Sequence, residues 1–429
     1  MVFLNENEAR KRIEALPLGV GPRIRWAGFD LPGETAAANL LCVGAVGTGK
    51  TRMHREVMRS VVSAISPDSH ERVVIYDGKG DLLSELLGMA PSTEVLIFNP
   101  LDKRSVAWDV AADVQTAEEA RAFVDSLLPS DHRGTGGFFL NAARDILAGL
   151  IDSLNRSYRG TWDLRRLILV TRARPRLERV LAGSDLIEQY FSEASTFANI
   201  HNTVTCALHG LEPIAAAWEH ADRKTSLKQW TAGGHSILVL GRSEVQASVE
   251  VASRAAFKII STVTLKGLEC AHRSRLWFFC DDLARAGRLD SLPAMLNGRS
   301  KGFRCVLGFQ DLEALMGAYG NRETAMEITH RCATVSWLGL TSAETAEWAS
   351  KRTGDVVPPA HFLHLPQDGG GGVRGVHLIK GVGGVFESTT HCEFPKIDPA
   401  DNFQARPDSQ FGLRPWDEDD DRWLNGGRG

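Results

Sequence analysis

The chain has 429 residues, 43% of them hydrophobic and 24% charged, with 49 basic against 53 acidic side chains for a formal charge of -4. At roughly 100–200 residues per domain this makes two or three globular units, and the apolar share excludes a globally disordered chain. A near-neutral total announces no whole-chain nucleic-acid binder, while leaving room for a local basic groove.

The opening stretch, MVFLNENEARKRIEAL, lacks the basic-then-apolar layout of a secretory signal. No window reaches the roughly 18 consecutive apolar residues of a membrane helix. From about residue 31 to 100 the pattern is strand, glycine-rich turn, helix, strand, loop, strand. Apolar runs at Ala38–Val43, Arg72–Tyr76 and Glu94–Phe98 predict strands, and Met53, Val57, Val61 and Ile65 trace one face of a helix between the first two. Strands alternating with helices of this length predict parallel pairing with crossover helices.

From about 111 to 231 the period turns helical. Thr116 with Glu119 predicts a capping box, followed by an inward face of Ala120, Phe123, Val124 and Leu127. Phe139, Ala143, Ile146, Leu147, Leu150, Ile151 and Leu154 predict a second helix, and further helical segments run through 185–197 and 200–218. Strands resume at Ser236–Leu240, Leu276–Cys280, Cys305–Phe309 and Ala333–Leu338. The expected division is therefore 1–110 and 232–398 for one nucleotide-binding domain, 111–231 for an inserted all-α domain, and 399–429 for a polar, acidic tail. The glycine run 369–372 reads as a hairpin loop, since no Lys-Ser/Thr follows it. Seven cysteines without a C-x-x-C pair read as buried thiols in a reducing compartment, with neither a disulfide framework nor a zinc site.

The strongest chemical signal is Gly44-Ala45-Val46-Gly47-Thr48-Gly49-Lys50-Thr51, a full match to the phosphate loop G-x-x-x-x-G-K-S/T. Glycines let the backbone N–H groups close on phosphates, and the next helix turns its positive end to the same anion. Lys50 is expected to reach the β- and γ-phosphates and the Thr51 hydroxyl to ligate Mg²⁺. The run Leu276-Trp277-Phe278-Phe279-Cys280 then delivers two acids, Asp281 for the metal and Asp282 for the attacking water. Gln310, at the end of the strand Cys305–Phe309, is a candidate γ-phosphate sensor. Arg331, just before Ala333–Leu338, is a candidate arginine finger for a neighbouring subunit.

In this order these residues resemble the type IV secretion coupling proteins, the TraG/TraD-like ATPases of conjugative DNA transfer, within the FtsK/HerA superfamily of ring-forming P-loop motors. The resemblance covers about residues 21 to 394. It rests on the phosphate loop, on Val73-Val74-Ile75-Tyr76-Asp77-Gly78-Lys79-Gly80-Asp81, on the helical insertion, on Trp277–Leu283, on Asn297–Arg304 and on Gly308-Phe309-Gln310. It implies a RecA-like domain with a mostly parallel sheet, an all-helical domain at one mouth of a ring, and hexamers with ATP and Mg²⁺ between subunits and DNA through the centre. The family's members carry N-terminal membrane helices. This chain is therefore expected to be either a cytoplasmic member or a trimmed piece that works at the inner membrane through partners or an anchor not included. Where the family has Asp-Glu this chain has Asp281-Asp282, one methylene shorter, so slow or strongly DNA-dependent hydrolysis is expected.

Arg299, Lys301 and Arg304 are candidate DNA-phosphate contacts, weighed against a solvated basic turn. The acidic stretch Asp417–Asp421, between Trp416 and Trp423, reads either as a docking tail for a basic secretion or relaxosome protein or as a solubilising tail. Two rival functions stand beside the coupling protein: a HerA-like motor in DNA processing or anti-phage defence, and a nucleotide-gated docking protein with little turnover.

Overall fold

The computed structural model describes residues 1–429 except 20, 67–68, 70, 90–91, 129–136, 234–235, 242–246, 268–274, 367–371, 392–401, 407–411 and 427–429. The chain divides into two compact units, one of residues 1–96, 234–240 and 264–402 and the other of 97–233, 241–263 and 403–429.

The strands in chain order are β1 (Phe3–Leu4), β2 (Ile24–Trp26), β3 (Phe29–Leu31), β4 (Asn39–Val43), β5 (Glu71–Asp77), β6 (Val95–Phe98) and β7 (Ala107–Trp108). They continue with β8 (Lys224–Thr225), β9 (Ile237–Gly241), β10 (Arg275–Cys280), β11 (Phe303–Phe309), β12 (Cys332–Trp337), β13 (Val373–Leu378) and β14 (Val385–Thr390). Ten of them form one sheet in the order β1-β14-β13-β12-β4-β11-β10-β5-β9-β6. The neighbours β12, β4, β11, β10 and β5 are parallel. Every residue of β4, β5 and β11 is buried, which is why these strands read as apolar runs without alternation.

Expected strand positions agree with β4, β5, β6, β9, β10, β11 and β12 to within about two residues, an ordinary boundary error. The antiparallel pair β13–β14 was not anticipated. Of the glycine run, 369–371 lie outside the described residues; Gly372 immediately precedes β13, and the hairpin turns later, through Gly381, Gly383 and Gly384.

Polar groups at the amino edge of the sheet are tied down locally. Asn39 at the start of β4 donates to the carbonyls of Leu296 (2.9 Å) and Arg331 (3.1 Å) and accepts from the Cys305 N–H at 3.2 Å. Cys42, Cys280, Cys305 and Cys332 are buried thiols, as expected, but Cys206 is exposed, and Cys270 and Cys392 lie outside the described residues.

The second unit is largely helical. Helix Ala117–Leu127 opens with the expected capping box on Thr116 and Glu119 and packs on helix Gly137–Ser157, whose inward face includes Ile146, Leu147, Leu150 and Leu154. Between Leu186 and Glu219 the expected pair of helices is observed as three, Leu186–Tyr190, Ala194–His209 and Glu212–Glu219. Pro at the first turn of the last one begins a new helix instead of prolonging the old.

The acidic tail differs most from expectation. Glu418–Gly426 is a helix packed on this unit, with Asp420 fully buried. Arg165 donates to both Asp420 carboxylate oxygens, at 2.9 and 2.7 Å, and to the carbonyls of Arg414 (3.0 Å) and Pro415 (2.6 Å). The Tyr158 hydroxyl donates to the Leu424 carbonyl at 2.8 Å, and its ring lies 4.5 Å from that of Trp423. Part of the tail's charge is thus consumed within the fold, so the picture of a free acidic tail is corrected. Among the described residues no helix is long and apolar enough to cross a membrane.

Candidate nucleotide site

Parallel strands with crossover helices gather their loops at the carboxyl ends of the strands, where ligands of such sheets bind. Here β4 delivers the phosphate loop, β5 delivers Asp77 and Lys79, β10 delivers Asp281 and Asp282, and β11 delivers Gln310. These strands are neighbours in the sheet, so residues far apart in sequence line one cleft, which Gly47, Gly49, Lys50, Thr51, Asp281, Asp282 and Gln310 all border.

The phosphate loop has its glycines where other residues fail. Gly47 and Gly49 sit at φ +79° and +102°, in left-handed backbone. A Cβ on Gly49 would overlap Val373 at the start of β13, and one on Gly44 would lie 2.6 Å from the Thr48 hydroxyl. Thr48 Oγ1 donates to the Ala45 carbonyl at 2.8 Å, and the Ala45 N–H donates to Gly339 at 2.8 Å, bracing the loop from behind. Lys50, the first residue of helix Lys50–Val62, is buried and donates to the carbonyls of Gly44 (2.6 Å) and Ala45 (3.0 Å). Burial lowers its pKa from the ordinary lysine value, with Asp281 and Asp282 among the opposing influences.

Thr51 Oγ1 donates to Asp281 Oδ2 at 2.5 Å, closing a gap of 230 residues. The other carboxylate oxygen, Asp281 Oδ1, is buried without a hydrogen-bond partner among the described residues. A hydroxyl beside a carboxylate with a spare buried oxygen fits a divalent cation. Among the described residues no group of three His, Cys, Asp or Glu side chains that could hold a metal ion gathers, at this site or any other, so such a cation would need further oxygens from its own ligand or from water. Asp282 Oδ2 accepts from Gln310 Nε2 at 3.2 Å and Oδ1 from the Arg285 N–H at 3.3 Å, which joins two of the expected residues.

Two further residues escaped the sequence reading as site residues. Lys79 Nζ lies 3.2 Å from both Thr51 Oγ1 and Asp281 Oδ2. His54, one turn along the helix from Thr51, is buried against Gly308, and its Nε2 has no partner among the described residues. Burial pushes the Asp281 carboxyl up, but the His54 ring, the Lys79 ammonium and the Thr51 hydroxyl outweigh it and hold the pKa below the ordinary value. Burial is also the largest influence on His54 and lowers its pKa, against the opposing pull of Asp281. Lys79 follows the end of β5 by two residues, and only the pairing of β5 with β10 brings it to the site.

The remaining candidates lie at the other end of the strands. Arg331 precedes β12 and is half exposed beside Glu327, separated from the phosphate loop by the length of β4, about 15 Å at the usual rise per residue. Arg299 is exposed, 3.5 Å from Glu34, and Lys301 is partly exposed in the same turn. Arg304 is corrected: it is buried, its Nη1 donates to the carbonyls of Arg299 (3.0 Å) and Phe303 (2.7 Å), and burial lowers its pKa to about 10. A guanidinium so enclosed is not presented to a DNA phosphate.

Comparison with known proteins follows the same lines. The type IV secretion-system coupling protein DNA-binding domain matches residues 23–356. The coupling protein TraD of Escherichia coli K12 is 24% identical over 316 residues, 70% of this chain and 42% of that protein. The chain spans less than half the length of the curated relatives it matches. Among solved structures, the plasmid coupling protein TrwB in complex with ADP and Mg²⁺ superposes with a TM-score of 0.76 at 21% identity, covering 94% of this chain and 96% of that one. VirB4 of Thermoanaerobacter pseudethanolicus follows at a TM-score of 0.54 and 11% identity, covering 90% and 99%. These likenesses show a RecA-like P-loop fold.

Proposed function

The chain belongs to the type IV secretion-system coupling proteins, and on that footing we propose that it is an ATP-driven motor that moves DNA through an oligomeric ring, a hexamer when active. The observation that carries this reading is the 2.5 Å contact of Thr51 with Asp281 at the carboxyl edge of the sheet, beside a buried Lys50. TrwB, the structural neighbour, binds ADP and Mg²⁺.

ATP enters with its phosphates against the backbone of Gly44, Gly47, Thr48 and Gly49. Lys50 exchanges its two carbonyl partners for charge-assisted bonds to the β- and γ-phosphates. Thr51 and Asp281 hold Mg²⁺, which when bound neutralises charge on the phosphate oxygens. Asp282 orients the attacking water, with Gln310 fixing one carboxylate oxygen and sensing the γ-phosphate. Aspartate at 282 sets its carboxylate back by one methylene, so turnover is slow in the absence of DNA. Arg331 serves the nucleotide of an adjacent subunit, which its place at the far edge of the sheet favours.

At the same edge Arg299 and Lys301 contact DNA phosphates without reading sequence. The place of work is the cytoplasmic side of the inner membrane, reached through partner proteins or an anchoring segment.

The test is ATP hydrolysis with and without DNA, for wild type and Lys50→Ala, with particle mass measured alongside. Hydrolysis stimulated by DNA, abolished by Lys50→Ala and accompanied by oligomers is expected; a DNA-indifferent monomer overturns the motor. Charge reversal at Arg299 and Lys301 is expected to weaken DNA binding and flatten its salt dependence, read by fluorescence anisotropy across a salt series.

A further inference from the structure

Lys79 stands where the cation of the nucleotide would have to be. Its ammonium is 3.2 Å from Thr51 Oγ1 and 3.2 Å from Asp281 Oδ2, side-chain oxygens of the two residues assigned above to the metal. A divalent ion at about 2.1 Å from those oxygens leaves no room, steric or electrostatic, for a second positive charge between them.

The placement is built into the backbone. Residues of β5 and β10 pair in parallel register, with Tyr76 opposite Cys280, so the next residues, Asp77 and Asp281, emerge side by side. Asp77 is buried and winds the following loop about its carboxylate: Oδ1 accepts from the N–H groups of Lys79 (3.3 Å) and Gly80 (2.8 Å), and Oδ2 from Leu82 (3.1 Å). Gly80, at φ +71°, makes the turn possible. The loop is thus anchored from below while the Lys79 side chain, 41% exposed, remains able to leave. Asp281, 13% exposed in its side chain, is held in place, with one oxygen buried and without a partner among the described residues.

We propose that Lys79 is a tethered counter-ion that keeps the metal position closed until a nucleotide arrives, so that the divalent cation enters with its polyphosphate and not ahead of it. A free ion meets only Thr51 and Asp281 and must displace an ammonium from both. An ion already carried by phosphates brings oxygen ligands and negative charge that make the exchange favourable. This rests on the nucleotide reading above.

Manganese alone, without nucleotide, is the probe, followed by the electron paramagnetic resonance signal of the free ion. Wild type, Lys79→Met and Lys79→Met/Asp281→Asn are compared. Lys79→Met should bind Mn²⁺ about tenfold more tightly than wild type, and the double variant should lose that gain. Lys79→Gln serves the same comparison if the Met variant shows no cooperative melting. Binding of a fluorescent ADP with Mg²⁺ is measured on the same preparations. Equal Mn²⁺ affinity in wild type and the Lys79 variants, with ADP binding intact, overturns the counter-ion alone. Failure of wild type to bind ADP overturns the nucleotide site and this proposal with it. In a structure with Mg-ADP bound, Lys79 Nζ should lie more than about 4 Å from Asp281; an ion pair preserved there overturns the exchange.

Discussion

Arg165 and Asp420 in the helical unit, and Asp281 with Lys79 in the sheet unit, are both buried or half-buried ion pairs, and they are finished to different degrees. Arg165 is 2% exposed and spends its donors on two carboxylate oxygens and two backbone carbonyls. Asp281 keeps one buried oxygen without a partner among the described residues, and the cation facing it is 41% exposed. A saturated pair has nothing left to offer a ligand and acts as a fastening. An unsaturated one carries a desolvation cost that a ligand can relieve. Counting hydrogen-bond partners thus separates fastening from function where counting charges does not.

Three measurements break or sharpen this contrast. Gly308→Ala should have the largest effect, because the added Cβ would overlap the Asp281 carbonyl and come within 3.0 Å of His54 Nε2. Displacing the acid by about 1 Å should lower ATP turnover about 100-fold, and overpacking this buried strand should lower the melting temperature as well. A turnover close to wild type would mean that Asp281 is not held as tightly as the contrast requires.

Asp420→Asn is the counterpart in the helical unit. Burial opposes ionisation of Asp420, but its bonds to Arg165 prevail and hold its pKa at about 2, below the ordinary 3.8. A carboxyl depressed on folding stabilises above its unfolded pKa and loses that contribution as pH falls through the folded one. The stabilisation should therefore be intact above pH 3.8 and fade toward pH 2. Asp420→Asn should cost about 2 kcal/mol at neutral pH, measured by denaturant unfolding, and remove that acid dependence. ADP affinity should stay within about twofold, because among the described residues none of the pair's hydrogen-bond partners borders the cleft.

Smallest in size is Asp282→Glu. The longer side chain should raise turnover severalfold, less than about 1.4 kcal/mol of barrier, in a steady-state assay with saturating ATP. An unchanged or lower rate would show that Gln310, 3.2 Å from the present carboxylate, already places it well.

How much of this was legible in the sequence follows from the range of each interaction. The phosphate loop is contiguous, and its glycines, lysine and threonine are dictated by local geometry, so residues 44–51 could be read directly. Asp281, Asp282 and Gln310 were readable because each ends an apolar run that could only be a buried strand. Lys79 and His54 were not, since their roles arise from strand order and from packing, which leave no local pattern. Arg304 looked like a partner of Arg299 and Lys301, but it is the second residue of a wholly buried strand. The tail misled for a related reason: four acids in one turn read as solvated until the third, Asp420, meets Arg165, 255 residues earlier.

Arg331, a strand's length from its own phosphate loop, carries a last consequence. On the reading that it serves a neighbour's nucleotide, the rate per molecule is a property of assembly and collapses on dilution. Two inactive proteins, one crippled at Lys50 and the other at Arg331, would then partly repair each other when mixed, since some junctions between them combine an intact loop with an intact arginine.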